Sequence, residues 1–292
     1  MHESILAFRK RRYLWLALLI TGLCVAAYWM HDPQEPPNGG TALGYALGTV
    51  GALLIVWLTW FGIRKRRYAS TAGTVQGWLS AHVYLGLALP VIVLLHAGFQ
   101  FGVNVHTLAF VLLLAVIISG LYGVIVYLKY PERISINRGG ASRPELYDQL
   151  EDIDRRSRRI VNDLPSAFAD FVQSGASRTQ LGSTLWSRLR GVDNSKIVLP
   201  GAGQSDVVDN AGQEAALDWL AEQQSRATDS ASAAKIGELS ALLRNKRKLL
   251  RQIREDIKLQ ATMELWLYVH VPLTGGLLVA LLTHIIAVFL YW

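Results

Sequence analysis

Five stretches of this chain are long and apolar enough to cross a lipid bilayer, and that constrains the fold more than any other feature. They cover roughly 13–30, 43–63, 78–100, 106–128 and 265–290, each close to the about 20 residues that a helix needs to traverse the hydrocarbon core. Lipid offers no hydrogen bonds, so every backbone N–H and C=O in such a segment must be satisfied within it, which selects helices. A chain of 292 residues that is 51% hydrophobic with mean hydropathy +0.26 is too apolar for an ordinary soluble protein of this size. The first stretch is longer than a signal peptide core, and no small-residue cleavage pattern follows it, so it is expected to stay as a span.

Charge sets the expected orientation. Arg9, Lys10, Arg11 and Arg12 precede the first span, Arg64, Lys65, Arg66 and Arg67 follow the second, and Lys129, Arg133 and Arg138 follow the fourth. The intervening loops at about 31–42 and 101–105 contain no Lys or Arg. By the positive-inside rule the N-terminus and the long segment before the fifth span are cytoplasmic, and Trp292 lies outside. The net charge of +7 and pI near 9.6 come largely from these clusters. They suit anionic lipid headgroups, and nucleic acid is not an expected partner.

Four of the seven histidines fall inside spans: His82 and His96 in the third, His270 and His284 in the fifth, both pairs 14 residues apart. On a helix, 14 residues advance the chain by about 21 Å and return to within about 40° of the same face. Each pair therefore sets two imidazoles on one stripe at two depths. With one span between them, spans three and five run in the same direction, so His82 levels with His270 and His96 with His284. An imidazole in hydrocarbon is costly without a partner, and no Lys, Arg or Asp lies between the paired histidines to form a relay or salt bridge. The four are candidate axial ligands of two stacked, non-covalent b-type haems, each held by two histidines. His106, at the start of the fourth span, is an interface residue and a competing ligand, while His2 and His31 near segment ends read as solvated.

The single cysteine, Cys24, lies in the first span and reads as a small buried residue. No C-x-x-C-H is present, so covalent haem attachment is excluded, as are cysteine-bound zinc and iron–sulfur clusters.

The H-x13-H pattern, twice, on helices separated by one helix resembles the four-helix core of diheme transmembrane cytochromes b. The cytochrome b of quinol–cytochrome c oxidoreductases has this arrangement, and the membrane domain of ferric reductases and NADPH oxidases is similar. The resemblance covers spans two to five, about 110 to 120 residues, and implies two haems and electron transfer. Gly48 and Gly62 in span two, also 14 apart, match the haem-facing glycines of that pattern, where a missing side chain admits the porphyrin; helix packing is the alternative role. The chain departs from the family in having no further helices to complete a quinol-oxidising site. It also lacks a flavin or nicotinamide domain: no G-x-G-x-x-G follows a strand, and Gly201-Ala202-Gly203 is too short to count.

About 130 residues separate spans four and five. Pro131 is expected to stop span four. Leu146, Leu150, Ile153, Ile160, Leu164 and Phe171 over 144–172, and Ile236, Leu239, Leu243, Leu250, Ile253 and Ile257 over 234–260, recur at helical spacing. These predict two long amphipathic helices forming a hairpin, the second continuing into span five. Residues 174–212, rich in Gly, Ser, Asp and Asn, predict irregular chain, with a short helix near 213–225. Arg244–Lys258 carries seven basic and two acidic residues, a solvated face near headgroups or a dock for an acidic partner.

The expected architecture is an all-α membrane protein of five transmembrane helices, with a haem-binding four-helix bundle and a cytoplasmic helical-hairpin insertion. Its parts are an extra helix and outer loop (1–42), core helices (43–130), the insertion (131–263) and the last core helix (264–292). The expected role is that of a diheme b-type cytochrome in a bacterial-type inner membrane, as the electron-transfer subunit of a respiratory redox complex. Its partners would be a c-type cytochrome or iron–sulfur protein, membrane lipid and, as a further cofactor, a quinone. Arg66, Arg67 and Arg138 are candidate inner propionate partners, and Gln100 and Asn104 outer ones. Two other classes remain open: a self-sufficient quinol- or metal-reducing enzyme, and a non-redox scaffold or sensor whose histidines serve packing or Zn²⁺.

Overall fold

The computed structural model describes residues 5–31, 39–66, 73–200 and 206–290. The chain is predominantly helical and divides into two compact units, Met1–Val126 with Trp266–Trp292, and Tyr127–Leu265. Five helices are long and apolar enough to span a membrane, which makes this an all-α, multi-pass membrane protein.

The first unit holds α1 (Phe8–Met30), α2 (Ala42–Arg66), α3 (Val75–His96) and the apolar stretches of α4 (Val105–Arg138) and α9 (Ser230–Leu290). Helix α3 packs against both α1 and α2. One apolar cluster draws on all five helices: Ala17, Ile55, Leu58, Leu85, Leu89, Ile92, Leu113 and Leu277. Large apolar side chains also point outward, among them Trp15, Leu53, Ile118 and Val279. Helices that are apolar all round suit a lipid surround. Local chemistry sets the helix starts. Thr74 caps α3 by accepting from Gly77 N at 3.1 Å, and Asn104 Oδ1 caps α4 by accepting from Thr107 N at 3.0 Å. Helix α3 ends at His96, short of the expected 100, because Gly98 and Phe99 turn to positive φ, 56° and 62°.

The second unit is built on the other stretches of α4 and α9 together with α5 (Arg143–Ile160), α6 (Ser166–Ser177), α7 (Leu185–Arg190) and α8 (Glu214–Arg226). A two-stranded antiparallel hairpin, β1 (Lys196–Leu199) and β2 (Asp206–Asp209), pairs Ile197 with Val208. Its core gathers Phe168, Phe171, Ile197, Trp219, Leu220, Leu239 and Leu243. A second apolar group joins Leu146, Leu249, Ile253 and Ile257. Buried charges are paired: Lys246 with Asp154 at 2.7 Å, and Asp256 with Arg138 at 2.7 Å and Arg143 at 2.8 Å.

Three expectations change. Pro131 does not stop the fourth helix, which runs on to Arg138; a helix interior proline deletes one ladder bond, and spanning helices tolerate that loss. The stripe over 144–172 is two helices, because Pro165 forces Leu164 into extended geometry, φ −114° and ψ 164°, between α5 and α6. The segment 174–212 is partly regular, carrying α7 and the β-hairpin. The helix near 213–225 appears as α8, and α9 is continuous from Ser230 to Leu290 with Pro272 inside it.

Candidate functional site

The four span histidines come from α3 and α9, and each is gripped at the same ring atom. His82 Nδ1 lies 3.2 Å from Leu58 O, and His96 Nδ1 lies 2.7 Å from Gly44 O, both on α2. A carbonyl oxygen only accepts, so both rings carry their hydrogen on Nδ1 and keep the lone pair on Nε2. His270 Nδ1 lies 2.8 Å from Ser119 Oγ, whose own hydrogen goes to Val116 O at 2.8 Å. That hydroxyl is left to accept from Nδ1–H, which gives His270 the same tautomer. His284 Nδ1 is hydrogen-bonded to Nδ1 of His106, the second residue of α4.

The rings also group by level. His96 and His284 have ring centroids 5.9 Å apart, nearly perpendicular at 89°, and His106 stands 4.5 Å from His284 on an 88° angle. His82 and His270 make the second pair, one ring from α3 and one from α9. Around the second pair, Phe61 lies 5.3 Å from the His82 ring and Trp266 lies 5.4 Å from His270. Trp266 Nε1 donates to Ser119 O at 2.8 Å, so one residue of α4 holds both the tryptophan and the histidine of α9. Gly123 lets the indole sit there, since a Cβ would collide with it.

Of the two glycines singled out in the sequence, Gly48 meets a ligand candidate. A Cβ on it would lie 2.7 Å from His96 Cε1 and 2.9 Å from Nδ1. Among the described residues nothing lies within 4 Å of a Cβ on Gly62. Arg138 is engaged by Asp256, and Asn104 caps α4. The Arg66 side chain and Arg67 lie outside the described residues, as does His2; Gln100 is engaged elsewhere in the protein. His31, expected to be solvated, is half-buried, and its Nε2 is shut from solvent with no partner among the described residues. Its backbone N–H is turned back onto Tyr28 O at the end of α1. Cys24 is partly buried, packed beside the apolar cluster.

Sequence reasoning missed Leu58, Gly44 and Ser119 as partners. The two carbonyls carry no side-chain signal. Ser119 does, being the one hydroxyl-bearing residue between Thr107 and Tyr122 in an apolar run, where a polar group needs a partner. Among the described residues, no group of three or more His, Cys, Asp or Glu is arranged to enclose a metal ion by itself. Comparison with family models, curated proteins and solved structures gives no match.

Proposed function

We propose that this chain is a diheme b-type cytochrome, the transmembrane electron-transfer subunit of a larger redox complex. The observation that carries the reading is the shared grip on Nδ1. A metal-bound imidazole almost always donates its other ring N–H to an outer partner, which fixes tautomer and orientation and raises basicity. His82, His96 and His270 are held in that state, with Nε2 free for iron.

The two histidines of the His82–His270 level suit a metal that brings its own equatorial donors, as iron in porphyrin does, whereas zinc takes three or four protein ligands; at the other level the third imidazole, His106, is hydrogen-bonded to His284. The 5.9 Å between the His96 and His284 rings is a spacing across which one metal, with bonds of about 2 Å to imidazole, reaches both. The small residues fit a close approach: Gly48 seats the His96 ring against the α2 backbone, and Gly62 leaves open space on the same helix. When bound, haem supplies one-electron chemistry. The chain's residues ligate it, orient the ligands and exclude water.

The positive-inside pattern places the His82–His270 level near the cytoplasm and the His96–His284 level near the outer face of a bacterial-type inner membrane. Donor and acceptor are then separate proteins or a quinone, with an extracytoplasmic c-type cytochrome or iron–sulfur subunit fitting the outer side.

The test is haem stoichiometry with ligand pairing. Pyridine haemochrome assay of the purified chain is expected to give two haems. His82→Ala and His270→Ala should remove one common redox transition, and His96→Ala and His284→Ala the other. A haem ratio near one or zero, or loss of one transition by both His82→Ala and His284→Ala, refutes the reading.

A further inference from the structure

We infer that His106 is the positioning residue for His284: it accepts the Nδ1–H of that ligand and so tunes the haem of the His96–His284 level. The inference rests on the diheme reading and adds a fifth histidine to it.

The argument is one of hydrogen bookkeeping. The Nδ1 atoms of His106 and His284 share one hydrogen bond, so one ring donates and the other accepts. If His106 donated, a neutral His284 would carry its hydrogen on Nε2 and could not bind iron through that atom. Ligation therefore requires His284 to donate and His106 to keep its own hydrogen on Nε2. His82, His96 and His270 already face partners that accept, two carbonyls and a hydroxyl committed to Val116 O. His106 completes the pattern at the fourth site, where among the described residues it is the partner of the His284 ring.

Its placement is fixed by the start of α4. Asn104 caps the helix through Thr107 N, and Thr107 Oγ1 accepts from Gly102 N at 3.1 Å, so the first turn that carries His106 is tied on both sides. His284 then has His96 5.9 Å away and His106 4.5 Å away, one ring for the shared metal and one for the outer bond. An acceptor on Nδ1–H pushes electron density toward the iron and favours its oxidised form, so removing it raises the potential.

The experiment compares His106→Leu with His106→Asn, whose side-chain oxygen can accept near the place of Nδ1, in the full chain in mild detergent. Haem per chain, both midpoint potentials and haem transfer to excess apomyoglobin are measured. His106→Leu is expected to leave the His82–His270 transition unmoved and to raise the potential of the other. It should also release that haem about 10- to 100-fold more readily, the usual cost of losing a ligand's outer partner. His106→Asn should restore both properties toward wild type. Unchanged potentials and haem release in His106→Leu overturn the inference, as does outright loss of the haem in both variants. Retention of the haem by His284→Ala, with its loss in His106→Leu, also overturns it and makes His106 the ligand. A wild-type chain without haem instead overturns the diheme reading on which the inference stands.

Discussion

Replacing Gly48 by alanine adds a single methyl group where the His96 ring now lies. The new carbon would stand 2.7 Å from Cε1, 2.9 Å from Nδ1 and 3.3 Å from Nε2, all on one face of the imidazole. The ring cannot retreat freely, because its Nδ1 is bonded to Gly44 O, one turn earlier on the same helix, at 2.7 Å. Overpacking of this kind costs about 1–3 kcal/mol, and breaking the hydrogen bond about 1 kcal/mol more. Against this stands a helix-propensity gain of up to about 1 kcal/mol for Gly→Ala. The net is about 1–3 kcal/mol, or roughly a 5- to 200-fold weaker hold on whatever His96 ligates. Gly51→Ala, one turn further along α2, is the control, since among the described residues its Cβ would meet Val93 Cγ2 alone, at an ordinary 3.5 Å. Redox titration of the purified full chain should show the His96–His284 transition weakened or lost in Gly48→Ala, with both transitions intact in Gly51→Ala. Two unchanged transitions in Gly48→Ala, or loss of the His82–His270 transition instead, would refute the reasoning.

Ser119→Ala removes the acceptor of His270 Nδ1–H and is expected to loosen the haem of the His82–His270 level by about 10- to 100-fold; apomyoglobin challenge reads this, and equal release from wild type and variant would count against it. In the second unit, Lys246 is 2% exposed and bonded to Asp154, which is 17% exposed. Asp154→Ala strands a buried ammonium and should cost about 3–5 kcal/mol, whereas Lys246→Met, which leaves the more exposed partner and keeps the volume, should cost well under half of that. Urea-dependent proteolysis of the full chain compares the two, and equal losses would contradict the assigned burial.

What could be read from the sequence follows the range over which each signal acts. A spacing of 14 is a property of one helix, so the paired stripes on α3 and α9 were visible without knowing any neighbour. Apolar length is likewise local, and so is the absence of a breaker between Gly237 and span five, which is why the continuous α9 was foreseen. Partners were a different matter. Leu58 O and Gly44 O act through backbone, which no residue identity reports, and the role of Ser119 depends on which face of α4 turns toward α9. The strands at Lys196–Leu199 and Asp206–Asp209 are four residues each, too short for alternation to outweigh the surrounding Gly, Ser and Asp. Pro131 and Pro165 carry the same chemistry with opposite outcomes: one is absorbed within α4, whereas at the other the chain is extended before α6 begins. Context beyond the residue decides between them.

The two levels differ in how firmly their tautomers are set. At the His82–His270 level His82 Nδ1–H points to a carbonyl, which can only accept, and His270 Nδ1–H to the Ser119 hydroxyl, whose own hydrogen goes to Val116 O. At the other level His96 is fixed in the same way, but His284 answers to a second imidazole, which can donate as well as accept. On the proposed diheme reading, one substitution at His106 is therefore expected to shift the His96–His284 transition without moving the other. At the His82–His270 pair the corresponding handle is Ser119, whose replacement by alanine removes the outer partner of His270 and leaves that of His82 in place. If the chain passes electrons between two haems, the driving force between them is thus adjustable by one side chain at each level, His106 at one and Ser119 at the other, while the carbonyl partners of His82 and His96 are fixed.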